Sequence, residues 1–489
     1  MLLCDDLTQP ERRIWDAFPA GARVDLRRGN PELEDPAEVQ HWGPERTVRA
    51  EVLVALLLGA NATQVGAVPA LRLTGARITG RLDLGGAEVT HGLWLEHCCV
   101  AEEVSLYGAA TRTVSITSSC LRGLDGSMAR MNGRLDLRNS AIEGTLGLKN
   151  AHIAGELLLE GAVITRPGEW AFDAGGLVME GGIWARKGFT VYGGTRMPGA
   201  TLPGGLFFNE ARLHNPDGIA FRAENATAAT MVFTQGFTAH GAIQLQGVQV
   251  TGPLTFAGAR LGPPQTTLDC TRLQANALDF TPAAPPSGAV DLQGARVEVL
   301  NDHPASWPGV VKMQGFTYGS LQTQHSVVQR ISWIQREAAY APQPYEQLAT
   351  WYRKIGHEGD ARRVLLAKQR HRRGTLSPAG RAWSHLLDAT VGFGYRLWLA
   401  AVWLVALAAL GTSVFSSNSP HSTQTEARAP FSPLIYTLDL LIPVGGLGQR
   451  AAWYWDDGTA RWVSYALIAA GWLLTTAVVT GVTRSLNKT

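Results

Sequence analysis

The chain has 489 residues, room for two or three domains. Its 43 Lys and Arg nearly balance 41 Asp and Glu, for a net charge of +2. The same balance holds within 71–166, which disfavours the acidic face of a nucleic-acid mimic and a nucleic-acid partner. Five cysteines, Cys4, Cys98, Cys99, Cys120 and Cys270, with no CxxC among them, exclude a disulfide framework, and 54 glycines suit a chain that turns every few residues.

Residues 1–6 lack a basic start followed by an apolar run, so no cleaved signal is expected and the bulk of the protein is expected inside the cell. A short helix is expected over 8–18, capped by Thr8, with Pro10 in its first turn and Glu11 three residues after the cap. A longer helix is expected over 45–58, where Val48, Val52 and Leu56 would cover the open end of whatever follows. Residues 1–70 thus read as an N-terminal cap.

From 71 to 166 the chain repeats in blocks of five or six residues, among them LRLTG, ARITGR, LDLGG and AEVTHG. The first and third residues of each block are apolar or small, as in Leu82 and Leu84, Leu146 and Leu148, or Ala151 and Ile153. Each block is therefore a short strand pointing twice inward. Four blocks make one coil of a solenoid, about 21 or 22 residues. On this register Leu71, Leu93, Val114, Leu135 and Leu157 form one interior column, and Ala76, Cys98, Ser119, Ser140 and Ala162 another. Leu137 points inward and is expected to be intolerant of change; Arg138 points outward and is expected to be tolerant. His97 falls at a corner, and Cys99 and Cys120 point outward one coil apart. Neighbouring strands about 4.8 Å apart lie within the roughly 4.4–6.8 Å that a disulfide needs, so Cys99 and Cys120 are a candidate reversible dithiol. The spacing resembles that of pentapeptide-repeat proteins. The resemblance implies a mainly β fold built on a right-handed parallel β-helix, here with a less square cross-section because many blocks have six residues.

Beyond 166 the paired inward residues return, as in Leu206 and Phe208, Ile243 and Leu245, and Val290 and Leu292, with Pro- and Gly-rich insertions read at 196–205 and 281–288. The solenoid is expected to occupy 71–322. From Ser326 the period becomes helical. Tyr345, Leu348, Ala349, Tyr352, Ala361 and Leu365 have tetratricopeptide-like spacing, and residues 323–390 are read as a helical hairpin capping the solenoid together with a basic juxtamembrane helix that carries the run 368–373.

Residues 391–489 read as a membrane domain. Two uncharged stretches, 397–415 and 462–483, are long enough to cross a bilayer, and Trp398, Trp403, Trp462 and Trp472 add aromatic weight near their ends. Basic residues precede the first and follow the second, which puts both termini in the cytoplasm. Between them, 431–449 (FSPLIYTLDLLIPVGGLGQ) is too short to span and reads as a re-entrant or interfacial segment. Its one acid, Asp439, is a candidate membrane site or a cap for that helix. The order of span, dip, glycine turn and span is similar to two-helix cation channels in topology, although VGGLGQ is not their filter.

With its solenoid and the motifs YEQLATWYRK, YTLDLLIPV and GWLLTT, the chain resembles a group of bacterial membrane proteins of actinomycete type, often labelled membrane-associated oxidoreductase. That resemblance implies an oxidoreductase but carries over no catalytic residue. No GxGxxG opens a helix after a strand, and the 12 histidines are scattered, so neither a cofactor nor a metal is assigned. Three functions stay open: a membrane-anchored cytoplasmic binding scaffold, a membrane oxidoreductase and a channel-like protein. The expected partners are the bilayer and another protein or a second copy, not nucleic acid.

Overall fold

The computed structural model describes residues 6–29, 36–61, 66–262, 266–323, 325–337, 339–395, 398–423, 430–443, 445–456 and 458–486. Cys4, Leu397 and Lys488 lie outside them. The chain divides into two compact units, Met1–Gln347 and Leu348–Thr489.

The first unit is a parallel β-solenoid of about 11 turns. Alternation along each short strand decides which side chain is interior, because a one-residue shift would exchange core and surface. Leu71, Leu93, Val114, Leu135 and Leu157 pair in register, and the column runs on through Ile183, Leu206, Met231, Leu254, Leu278 and Leu300 to Leu321. The small-residue column is tied by polar contacts as well as packing: the Cys98 amide donates to Ser119 Oγ at 2.9 Å and the Ser119 amide to Ser140 Oγ at 3.2 Å. These hydroxyls meet backbone groups that a fully apolar column would leave without partners.

Coils turn at positions of positive φ. Gly86, Gly108, Met128 and Asn150 occupy one corner, while His97, Ser118 and Asn139 occupy another. At the first corner the Gly86 amide donates to Tyr107 O at 2.7 Å and the Gly108 amide to Ser127 O at 2.9 Å, so the bend itself is laddered between coils. Glycine is favoured there because a left-handed conformation costs it nothing.

Coil length rises in the middle of the solenoid and falls back to 21 residues between Leu300 and Leu321. The interval is 21 residues from Cys99 to Cys120 and 26 from Glu160 to Arg186. The core grows with it, from Leu and Ile in the early coils to Phe172, Phe189, Phe208, Phe221, Phe233 and Phe256, all fully buried. Of the two segments read as insertions from their Pro and Gly content, 281–288 does run outside the strands, between Gln274–Phe280 and Ala289–Asp291, but the other does not. Residues 196–205 continue the coil, with Met197, Ala200 and Leu202 buried as ordinary inward positions. Further excursions interrupt the long strands Val163–Asp173 and Arg212–Arg222, where register slips between Thr165 and Trp170 and between His214 and Ile219.

The N-terminal end is closed by helix and strand together. Helix α1 (Gln9–Ala17) starts with a capping box between Thr8 and Glu11. Glu11 is buried and accepts from the Thr8 and Arg49 amides and from Arg49 Nε and Nη2. Burial pushes its carboxyl up, but these bonds and the Arg49 charge outweigh that and hold it at about 2. The 45–58 segment corrects the expectation of one continuous helix. Thr47–Arg49 is a strand paired with Arg77–Thr79, and only then does α2 (Ala50–Leu57) begin. With Arg23–Asp25, paired to Arg72–Thr74, this strand gives the exposed edges of the first coil their backbone partners.

The far end of this unit is closed by α3 (Val327–Ile334), capped by Ser326 and Gln329, whose Trp333 and Ile334 are buried. Arg330, 2% exposed, makes a two-bond pair with Asp302, 0% exposed, at 2.8 Å each, and Trp307 Nε1 donates to the same carboxylate at 2.7 Å. Gln343 and Gln347, in the first turns of α4 (Gln343–Lys354), donate to the carbonyls of Phe316 and Tyr318.

The second unit holds the rest of α4, then α5 (Glu358–Arg372), α6 (Pro378–Val391), α7 (Trp398–Ser416), α8 (Pro433–Leu441), the single turn α9 (Gln449–Ala452) and α10 (Thr459–Leu486). Part of the basic run is paired, not free. Arg370 and Arg373 both reach Asp388 of α6, at 3.0 and 2.8 Å. Glycines let α8 approach its neighbours: a Cβ on Gly411 of α7 would meet Thr437 at 2.4 Å, and one on Gly471 of α10 would meet the Leu441 carbonyl at 2.3 Å. Among the described residues α7 alone is long and apolar enough to cross a membrane. The second predicted span falls within α10, and its last side chains lie outside the described residues.

Candidate binding groove and cysteine pair

The solenoid carries a groove of about 480 Å³ where its coils first lengthen. Along this outward ladder Asp125, Gly147, Asp173, Arg196 and Arg222 are successive partners, one per coil. Gly147 has no side chain, so the polar ladder is notched between the carboxylates of Asp125 and Asp173. Ser127, Thr145 and Lys149 line the notch, and the outward excursion of residues 165–169 with Trp170 forms its far wall. Thr145 Oγ1 donates to the Trp170 carbonyl at 3.2 Å, and Arg166 pairs with Glu169 at 2.5 Å, which holds the excursion in shape. The Trp170 ring lies against Gly194, where a Cβ would come within 2.5 Å of it, with the Arg196 guanidinium 5.0 Å from its centre.

Asp173 is 4% exposed and bonded to Lys149 Nζ at 3.0 Å and Arg196 Nη2 at 2.8 Å. Burial pushes its carboxyl up, but the two cations outweigh burial and keep it below the ordinary range. Its Oδ1, like Arg196 Nε, is buried with no hydrogen-bond partner. A charged group left half-met in this way costs more than an exposed one. Sequence reading did not single out this site. Its signal was present as a glycine in a slot otherwise filled by polar side chains, and as the extra residues RPGE before Trp170.

The structure brings the two predicted cysteines together. Cys99 and Cys120 face each other on adjacent parallel strands, Cα atoms 4.6 Å apart, joined by a disulfide. The pair is half-buried, not open, since Cys120 Sγ lies 3.5 Å from the carbonyl oxygen of Pro36 in the N-terminal segment. Cys98 and Cys270 are buried free thiols. Burial pushes Cys98 up to about 11, while burial and the nearby Asp269 and Asp291 push Cys270 higher still. Neither has thiolate character to spare.

Asp439, buried on α8, accepts from the amides of Leu447 at 2.6 Å and Arg450 at 2.7 Å. It fastens the glycine-rich turn back onto α8 and meets the first free amides of the turn that follows. Among the described residues no group of three or more His, Cys, Asp or Glu side chains is placed to hold a metal. Comparison of the chain with protein-family models, with curated proteins and with solved structures finds no match in any of the three.

Proposed function

We propose that the protein is a binding scaffold, a cytoplasmic β-solenoid held at a membrane by its second unit. The observation that carries the reading is α7. It has 19 residues without a charge, and only 11% of its most apolar stretch is buried. A core helix of a water-soluble fold hides such a surface, whereas here Trp398, Val402, Trp403, Val405 and Leu410 face outward. Trp462 and Trp472 of α10 do the same, supporting a second crossing. Basic residues before α7 favour cytoplasmic termini. On expression of the full chain, carbonate washing should leave it in the membrane pellet, and a cysteine placed at Ser417 should be labelled from outside intact cells. Release into the supernatant would sink the anchor, and labelling only after lysis would reverse the orientation.

A second reading is favoured by the cysteine pair: thiol–disulfide exchange with a partner dithiol. In that step the partner's thiolate attacks one sulfur of the pair, its second thiol resolves the mixed disulfide, and Cys99 and Cys120 leave as thiols carrying the two protons. Mass mapping of non-reduced protein should recover a Cys99–Cys120 peptide that disappears on incubation with a reduced dithiol protein. A linkage that survives that treatment, or one never found, removes the reading.

A further inference from the structure

We infer that α6 lies in the headgroup layer of an anionic bilayer, with Trp383 and Leu386 turned into the lipid and Arg372 and Arg381 on the phosphates. This rests on the reading of the second unit as a membrane anchor and names the class of lipid it meets.

The burial of α6 is inverted for a helix in water. Ala379, Ala382, Trp383, Leu386 and Ala389 recur at intervals of three and four and so share one face, and all five are exposed, Trp383 by 51% and Leu386 by 39%. Ser384 and Asp388 lie on the other side, Ser384 buried, where they meet Arg373 and, for Asp388, Arg370 as well. A helix in water hides its apolar stripe and exposes its polar one. The protein does not cover this stripe from within, since Leu387 is the α6 residue that packs with Ala400 of α7 and Val478 of α10. The stripe is continuous with the outward surface of α7: the exposed Trp403 donates from Nε1 to the Ala389 carbonyl at 2.9 Å. Tryptophans at this level match the polar–apolar boundary of a bilayer.

Charge selects the lipid. Residues 361–390 carry seven Lys and Arg against one acid, Asp388. Burial pushes that carboxyl up, but Arg370 and Arg373 outweigh burial and hold it below the ordinary range, so one carboxylate serves two guanidinium groups. Arg372 is exposed, and Arg381 spends Nε and Nη2 on the carbonyls of Leu376 and Gly374, which leaves its charge unneutralised. Among the described residues neither has a carboxylate partner. Cations beside an apolar helix face suit acidic phospholipid, each strengthening attachment by about fivefold. A nucleic acid would meet the arginines but leave the Leu386 side of the stripe in water.

The test uses the full chain with an environment-sensitive fluorophore on Ala382→Cys, reconstituted in vesicles of phosphatidylcholine and phosphatidylglycerol, the unsubstituted chain serving as the labelling control. The expected result is blue-shifted emission, quenched more by lipid carrying a nitroxide at the headgroup than by lipid carrying it at the chain end. In neutral detergent with equal amounts of the two lipids, native mass spectrometry should find phosphatidylglycerol retained about tenfold or more over phosphatidylcholine, and Arg372→Gln with Arg381→Gln should cut that preference to within about threefold. Ala379→Cys carries the fluorophore if the first variant loses its far-UV circular dichroism. A fluorophore that stays in water while the chain remains in the carbonate-washed pellet would remove the inference and leave the anchor standing. Equal retention of both lipids, a preference that survives the double replacement, retention of oligouridylate in place of lipid, or a dimer of the chain that shields Ala382→Cys from the nitroxide would each overturn it. A chain released by carbonate would sink the anchor alone; on vesicles added to that soluble chain, headgroup-level quenching would uphold the α6 surface and its absence would remove it.

Discussion

Asp302→Ala is expected to destabilise the solenoid by about 3–5 kcal/mol, because it leaves the buried Arg330 guanidinium without its counter-charge. Arg330 of α3 is held at 2% exposure, and among the described residues Asp302 is its only carboxylate partner. Trp307 Nε1 loses its acceptor in the same step. The position magnifies the effect, since α3 and Trp307 cover the last coils and stacked coils are stable only when their ends are closed. Urea unfolding of the full chain, followed by near-UV circular dichroism of the Trp307 and Trp333 pair, measures the loss. A double replacement, Asp302→Leu with Arg330→Met, should recover much of it, because removing both charges also removes their desolvation cost. A single variant within about 1 kcal/mol of wild type would mean that the ion pair does not hold the end closed.

Leu137→Asp should be at least as damaging, by about 5 kcal/mol or more, through lost burial, a cavity and an unpaired interior carboxylate. Leu137 is fully buried, and its amide continues the inter-coil ladder to Leu158 O at 2.9 Å, so the strand cannot turn outward without breaking pairing. Arg130→Gln, at an exposed outward position, is the matched control and should stay within about 0.5 kcal/mol. Arg138, expected to tolerate change, does not serve as that control. It covers Asp136, whose side chain is 1% exposed, through bonds of 2.9 and 2.7 Å. Arg138→Asp would set a second carboxylate against a buried one, so a loss of roughly 2 kcal/mol is expected. Thermal unfolding of the three variants separates the cases, and equal tolerance at Leu137 and Arg130 would mean that the inward register is wrong.

The limits of the sequence show at particular residues. The inward register from Leu71 to Ile164 was legible because alternation has a period of two and carries its information within three residues. The Thr8 and Glu11 cap was legible for the same reason, its partners lying in one turn. The facing of Cys99 and Cys120 followed from coil length alone, since equal intervals place equivalent residues side by side. What tertiary structure decided was every feature whose partner lies in another coil or another segment. Thr47–Arg49 became a strand, not the start of a helix, because Arg77–Thr79 offered an unpaired edge. Residues 196–205 stayed in the coil because the Phe-filled core accepted Met197 and Leu202. Asp388 met Arg370 and Arg373 across a turn that no periodicity marks, and Asp302 met Arg330 across 28 residues. The groove at Gly147 is the extreme case. A missing side chain becomes a site only when the coils above and below supply Asp125 and Asp173 and an excursion supplies Trp170, and local pattern does not encode which coil those neighbours occupy.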